Sequence, residues 1–464
     1  MKKYNYLLKN IGLLTLSSFA SKILSFLLVP LYTSILTTKQ YGIYDMFNTT
    51  VMLLLPLITI DIVDAVLRFG LDRSKSKEEV FAIGNSYIVK SIALLLVLLS
   101  INYFLNIFTI VTKYTLPFFL LYVFTAYSQL LQYFARGIEK VASLAVSGVI
   151  SSIVSLSLNV LFLVYFKWGL MGYFYATIIG LAAPTVYLFF DMKLWRYPLK
   201  CNNKGLLLEM KNYSLPLVLN SISWWMNNSS SRYIVIYFCG IAQNGIFSVG
   251  YKIPTILNVF QSIFNQAWTL SSVKEFDPED KDGFFIKIYN LYNFSMIVIC
   301  SMLILTTKIL AKILYANDFY VAWRYVPFLM IAIVFSAISG LLGGVFSAVK
   351  DSKAYSISTT VGAVANVAIS LVSVYYFGAI GAAFGNALSF GIVWAIRLKK
   401  VKEYMNLRIN LVRDLLVYGV LFIQSILILI NMNGIQQYIT QGLCLICIIL
   451  LYRKEVFKNI KGDI

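Results

Sequence analysis

Hydrophobic residues run along this chain in long blocks separated by short charged or turn-rich breaks. In a block such as Ile92 to Leu99 or Leu421 to Ile430 almost every position is apolar, so no face is set aside for water. The strict alternation of a membrane β-barrel strand is absent, and the pattern predicts helices that are apolar all round. A bilayer crossing needs about 20 such residues. Fourteen blocks are read, at 11–36, 41–70, 83–110, 115–136, 141–166, 169–191, 213–240, 245–272, 284–307, 325–349, 354–377, 379–397, 413–431 and 435–452. The expected fold is an all-α polytopic membrane protein of about fourteen transmembrane helices.

Composition agrees. Of 464 residues 59% are hydrophobic and 13% charged, against about 25% charged in soluble domains. Lys2, Lys3 and Lys9 precede the first block as in a signal peptide. The block is too long for a signal's apolar core and carries Lys22, so it reads as an uncleaved first span.

The net charge is +19, and placement explains it. Connectors on the side of the amino terminus hold 29 of the 39 Lys and Arg, whereas the opposite side holds six: Lys39, Lys113, Lys167, Lys308, Lys312 and Arg324. Cytoplasmic loops carry the cationic excess, so both termini are expected in the cytoplasm. The basic surplus is topology, not a nucleic-acid surface. There is no His, and four of the five Cys lie in apolar blocks, where helix packing is favoured over disulfides or ligation.

Two echoes indicate an internal repeat. Gln40-Tyr41-Gly42-Ile43-Tyr44 after the first block returns as Gln243-Asn244-Gly245-Ile246-Phe247 after the seventh, 203 residues on. Gly169 and Gly172, opening the sixth block, return as Gly378 and Gly381, 209 residues on. The expected organisation is a six-helix lobe at 1–198, a second at 199–400 and two extra helices with a tail at 401–464. Six spans per lobe keep both copies in one orientation, as parallel repeats with a pseudo-two-fold axis along the membrane normal. Pro30, Pro56 and Pro254 interrupt the first, second and eighth blocks, where a helix is expected to bend and free carbonyls.

Charge inside a span is costly, at least about 2.5 to 3.5 kcal/mol, and marks a cavity or a partner. Lys22, Lys90, Arg232 and Lys252 fall inside blocks. Lys22 is mid-span, with Ser18 and Ser25 on its face. Arg232 follows a stripe of Asn220, Ser223, Asn227 and Ser231, and Lys252 shares a face with Ser248, Thr255, Ser262 and Gln266. Counted from the cytoplasm, Arg68 and Lys90 lie low, Lys22 midway, and Arg232 and Lys252 high. These five are the candidate anion-binding residues of a water-filled cationic passage between the halves. The competing reading is snorkelling to the headgroups.

Asp61 and Asp64 lie in the inner third of the second block. Asp64 with Arg68 makes an i, i+4 pair suited to a structural salt bridge; Asp61, with Ala65 at i+4, is open to proton or Na⁺ coupling. Asp45 is expected to be solvated. No phosphate-cradling Gly loop is present. The acidic run Glu275 to Asp282 reads as a solvated loop rather than a metal site, so no catalytic residue, metal or cofactor is expected.

Ala20-Ser21-Lys22-Ile23, Lys39 to Tyr44, Leu67-Arg68-Phe69 and Asn244 to Ile253 resemble the Wzx-type polysaccharide and O-antigen flippases of the multidrug/oligosaccharidyl-lipid/polysaccharide (MOP) exporter superfamily. The likeness runs from about residue 9 to 452. Many relatives carry Asp just before the Arg corresponding to Arg232, and here that position is Ser231, which puts Asp-dependent coupling in doubt. The resemblance implies a bacterial cytoplasmic-membrane transporter, not an enzyme, alternating between inward-open and outward-open states. Its implied substrate is a polyprenyl-pyrophosphate-linked oligosaccharide, for which Trp224, Asn227 and Tyr251 are candidate sugar contacts with ordinary packing as the alternative, and its implied partners are the bilayer and the polysaccharide polymerase and chain-length machinery. The rival readings are a lipid II flippase, a MATE-type drug/cation antiporter and, from another class, a membrane polysaccharide polymerase.

The topology is testable with reporter fusions. Cytoplasmic reporters should be active at residues 74 and 202, and exported reporters at 113 and 317; the reverse pattern at either pair would overturn the orientation.

Overall fold

The computed structural model describes residues 26–198, 203–430 and 434–461. Among them there is no strand. The chain divides into two compact units at Trp225 and Met226. The first contains α1 (Val29–Ile35), α2 (Thr38–Thr59), α3 (Ile62–Leu71), α4 (Lys77–Leu105), α5 (Thr109–Lys113), α6 (Thr115–Gly137), α7 (Val141–Asn159, continued as a π-helix to Tyr165) and α8 (Gly169–Asp191). The unit boundary falls within α9 (Lys204–Cys239). The second contains α10 (Ile241–Gly250), α11 (Thr255–Lys274), α12 (Phe284–Leu314), α13 (Val326–Ala348), α14 (Ser352–Phe377), α15 (Ala379–Val401), α16 (Leu411–Leu427) and α17 (Gly434–Lys461).

Every predicted block from the second to the fourteenth coincides with a helix or a pair of helices, and the first lies mostly outside the described residues. Among the described residues ten helices are long and apolar enough to cross a membrane. The three other described blocks have physical reasons to differ: α9 carries the polar stripe, the eighth block is broken into α10 and α11, and α16 is 17 residues long. In the second unit α13 is the centre, 89% buried along its apolar stretch, and it packs against α11, α12 and α15. In the first, α6 has this role, against α2, α3, α4 and α8. By contrast only 17% of the α17 stretch is buried, leaving Ile439, Leu443, Ile446 and Leu450 exposed for lipid.

The repeated motifs have local causes. Thr37 and Gln40 form a reciprocal capping box that starts α2. In the second copy the Gln243 amide instead bonds the Tyr325 hydroxyl. Gly169 and Gly378 both adopt positive φ, +53° and +62°, at the starts of α8 and α15, where a side chain would be strained. Three residues on, a Cβ at Gly381 would lie 2.1 Å from the Ser373 carbonyl oxygen, so α14 and α15 approach closely only with glycine there.

Helices break where prolines led one to expect it. Pro30 stands in the first turn of α1, Pro254 caps α11 after a turn at Tyr251 to Pro254, and Pro56 lies inside α2. Four residues after Pro56, Ile60 and Asp61 are both left-handed, with φ of +50° and +57°. A β-branched residue there is a backbone outlier.

Several charged residues depart from the sequence reading. Asp64 and Arg68 form no ion pair, because Arg68 is exposed at the end of α3 while Asp64 is half-buried. Asp45 is 7% exposed, not solvated. Arg397 and Arg413, counted as loop cations, are buried within helices. The acidic loop carboxylates close turns: Asp277 accepts from the Glu279 and Lys281 N–H groups, and Asp280 from those of Phe285 and Ile286, capping α12. Among the described residues no group of three or more His, Cys, Asp and Glu is placed to hold a metal. At the start of α14 the Tyr404 hydroxyl and the Ala354 N–H hold the Asp351 carboxyl below its usual range. This cap contributes fully above the ordinary Asp value near 3.9 and is lost as pH falls through the lowered folded-state value.

The last two helices are fastened to α12 by a buried polar cluster. Arg413 Nε and Nη2 donate to Asp414 Oδ1 at 3.0 and 2.8 Å, and Nη2 also to Asn290 Oδ1. Tyr289 and Tyr452 hydroxyls donate to the Asp414 carboxylate, and the guanidinium lies 4.2 Å from the Tyr452 ring centre. Removing one member leaves the opposite charge buried, so Asp414→Ala should lower stability by about 3–5 kcal/mol, read as a loss of thermal stability in detergent. A neutral result would mean that α16 and α17 are not held by this cluster.

Candidate functional site

The sequence candidates fall into separate places, and the second unit contains a buried polar network. It begins on α9, whose stripe turns inward at Asn227 and Ser231; these are 1% and 0% exposed. Asn227 Nδ2 donates to the Thr359 carbonyl on α14 at 2.8 Å, and Asn366 Nδ2, also on α14, donates back to the Asn227 carbonyl at 2.9 Å. Ser231 Oγ donates to Asn386 Oδ1 on α15 at 2.8 Å and lies 3.4 Å from Ser370 Oγ. Asn386 Nδ2 then donates to the Tyr251 hydroxyl in the break between α10 and α11. The Arg232 guanidinium completes the chain, 5.1 Å from the centre of the Tyr251 ring. A cation over an aromatic face is stabilised by the ring's negative quadrupole, the more so when water is excluded.

The break makes this geometry possible. The Tyr251 N–H bonds Ser248, that of Lys252 bonds Val249, and the Thr255 N–H turns back to the Tyr251 carbonyl at 3.2 Å. The Thr255 hydroxyl donates to the Lys252 carbonyl, so side chains take over bonds that a continuous helix would make itself. Lys252 is half-buried in this turn, and its expected stripe with Thr255 and Ser262 crosses the break instead of following one helix face.

The remaining candidates are dispersed. Asp61, 7% exposed, accepts a hydrogen bond of 2.5 Å from Ser221 Oγ on α9 within the first unit. Asp64 is half-buried one helical turn on, and Arg68 is exposed. Lys90 is exposed on α4 with Nζ 5.1 Å from the Tyr87 ring centre. Trp224 is 36% exposed, whereas its neighbour Trp225 donates its indole N–H to the Thr49 carbonyl. Lys22 lies outside the described residues.

A buried cation missed by the sequence reading is Arg397, 3% exposed near the end of α15. Nε donates to Ser358 Oγ, Nη1 to the Ser339 carbonyl and Nη2 to Thr359 Oγ1, at 2.8–2.9 Å. Its guanidinium lies 4.0 Å from the Tyr355 ring centre. Thr359 also joins it to the Asn227 bond, so the two polar groups share α14. Asn366 and Asn386 were missed as well. Their signal was present: each is the one amide side chain in its block.

Comparison with known proteins places this architecture. The "Lipid II flippase MurJ, inward closed conformation" superposes with a TM-score of 0.68 at 15% identity, covering 96% of this chain and 99% of that one. A multidrug resistance MATE family transporter of the MOP superfamily, inward-facing, gives 0.64 at 14% identity, covering 84% and 95%. A MOP superfamily transporter from Pyrococcus furiosus Vc1, described by a reverse polarity of its binding pocket that suggests different function, gives 0.57 at 14% identity, covering 85% and 96%. No curated protein matches the chain in sequence. The fold is therefore the one these structures share, a multi-pass bundle of membrane-spanning helices. A profile of the family described as "Polysaccharide biosynthesis protein" matches residues 7–269, more than half of the chain. The chain belongs to that family.

Asn386 is the joint of the network, so its replacement has a definite expectation. Asn386→Leu should lower thermal stability in detergent by about 1–3 kcal/mol, because the Ser231 hydroxyl loses its 2.8 Å acceptor and the Tyr251 hydroxyl loses the Asn386 donor. Ser231→Ala should do less. Equal stability of Asn386→Leu and wild type would show that these bonds are not formed.

Proposed function

We propose that this protein is a flippase that carries a polyprenyl-pyrophosphate-linked oligosaccharide repeat unit across the bacterial cytoplasmic membrane for surface polysaccharide assembly. The observation that carries the reading is the chemistry of the second unit's polar centre, where a guanidinium is set among amides and hydroxyls. Such a set suits an anion and neutral sugars better than a cationic drug, whose site favours carboxylates. Membership of the polysaccharide biosynthesis family supports the glycan as cargo.

In this reading residues 1–198 and 199–400 act as two lobes that expose a cationic passage to one membrane face and then the other, with 401–464 as an extension. Lys22, Arg68, Lys90, Arg232 and Lys252 attract the pyrophosphate. Tyr251 supports Arg232, and Asn227 braces α9 against α14; Trp224 offers an exposed ring to sugar. Each negative charge moved outward down the membrane potential releases about 2.3 kcal/mol per 100 mV, so the potential favours export. Asp61, held by Ser221, and Asp64 are the places for proton or Na⁺ coupling. The polymerase and chain-length machinery are the partners that receive the product. A lipid II flippase is the second reading, favoured by the fold shared with MurJ over almost the whole chain.

Mass spectrometry of the polyprenyl-linked lipids of cells lacking this protein tests the proposal. Complete oligosaccharide-pyrophosphate lipid should accumulate, be cleared by wild type, and persist with Lys22→Ala or Arg232→Ala expressed to equal levels. Accumulation of lipid II would select the second reading. Unchanged lipids with raised sensitivity to cationic drugs would overturn both in favour of an antiporter.

A further inference from the structure

A cavity of about 440 Å³ lies at one end of the second unit, lined by Cys239, Gln243, Val321, Arg324, Tyr325 and residues 377–380. The Phe247 ring, 5.6 Å from Tyr325 and 5.4 Å from Tyr251, separates it from the Arg232 network. Helices α9, α12 and α14 end here and α10, α13 and α15 begin. This is the side on which the chain carries few cations, yet Arg324 stands in the cavity wall.

Arg324 is exposed and forms no ion pair among the described residues. Asp318, in the same 3₁₀ turn, is exposed and likewise makes none. Lys308 Nζ and the Arg324 guanidinium lie 4.6 and 5.9 Å from the centre of the Trp323 ring, so two like charges share one indole. Lys308 also donates to Gln437 Oε1. The backbone adds donors: α10 and α15 both start without a side-chain cap, and the Ala379 N–H faces the Cys239 sulfur, a weak acceptor. Nothing lies within 4 Å of a Cβ built on Gly240 or Gly378, so both helix starts open onto free space. Tyr375, Tyr376 and Phe377 at the rim are about 70% exposed, as rings at headgroup level are.

We propose that this cavity holds the phosphate of a lipid headgroup at the membrane face opposite the basic loops. The guanidinium fork matches two phosphate oxygens, and the helix starts supply N–H groups to a third. The site rests on the membrane topology above, and its use by a carrier lipid rests in addition on the flippase reading. The phosphate has two sources, a polyprenyl phosphate or an ordinary anionic phospholipid.

Cys239 reports on the cavity directly. In a variant with Cys201, Cys444 and Cys447 replaced by Ser, and Cys300 left buried, the reaction of Cys239 with anionic and cationic methanethiosulfonates of equal size is followed in neutral detergent. The anionic reagent should be favoured by about tenfold, the scale on which a charged cleft raises local concentration. Arg324→Gln should abolish the preference, and Lys312→Gln, at the same end but outside the cavity, should preserve it. Polyprenyl monophosphate and phosphatidylglycerol are then added as protecting agents. Protection by both marks a general headgroup site, and protection by polyprenyl monophosphate alone marks an exit site for carrier; either supports the phosphate assignment. If the flippase reading fails, protection by phosphatidylglycerol persists without polyprenyl selectivity. A preference unaltered by Arg324→Gln, an equal loss with Lys312→Gln, or protection by neither lipid overturns the proposal.

Discussion

Hydrocarbon supplies no hydrogen bonds, and this constraint organises the whole molecule. Helices satisfy their own backbone, but each polar side chain placed inside must bring a partner with it. The second unit meets the demand in three ways. Arg413 is neutralised by Asp414 and enclosed by tyrosines. Arg397 is held by hydroxyls, a carbonyl and the Tyr355 ring. Arg232 lies over Tyr251, whose hydroxyl is itself fixed by Asn386. The first arrangement cancels charge, whereas the other two disperse it over neutral groups. Only the dispersed form leaves positive potential for an anion.

The same constraint explains why breaks in helices coincide with polar side chains. At Ile60 and Asp61 the backbone leaves the helical region, and Ser221 takes the Asp61 carboxylate. At Tyr251 to Pro254 the Thr255 hydroxyl and Asn386 serve the turn. Interrupted helices of this kind are where transporters gather donors and acceptors within the membrane. They are also the places where a segment can rotate with little loss of bonding, since its bonds already run through side chains. The proposed function and the local architecture thus draw on one property.

Much of this was legible in one sequence because apolar block length and cation placement are strong, local signals. The blocks from 41–70 to 435–452 recur as helices, and Pro254 correctly marks a break. The Gly169 and Gly378 echo has its cause in two left-handed helix starts. Arg232 and Tyr251 were both singled out, but for different roles, because 19 residues of chain separate a cation from the ring that supports it. Asp64 and Arg68 have the spacing of a pair and do not form one, since α3 begins only at Ile62 and carries Arg68 out to its exposed end. Arg397 was read as a loop cation because it stands near Lys399 and Lys400, and nothing local reveals that Ser339, Tyr355, Ser358 and Thr359 surround it.

By itself, then, the sequence determined the class of molecule, the rough limits of its helices and the presence of costly charges inside it. These follow from hydrophobic transfer and helix geometry, which act over a turn or a block at a time. Tertiary structure alone decided which charges are paired, which are dispersed and which remain exposed, and it brought Ser231, Asn366 and Asn386 together from three helices. It also tied α16 and α17 to α12 through Asp414 and formed the Arg324 cavity from connectors more than 100 residues apart. The physical reason is range: a hydrogen bond or an ion pair extends a few ångströms in space and carries no trace in the sequence of how far apart its partners stand along the chain.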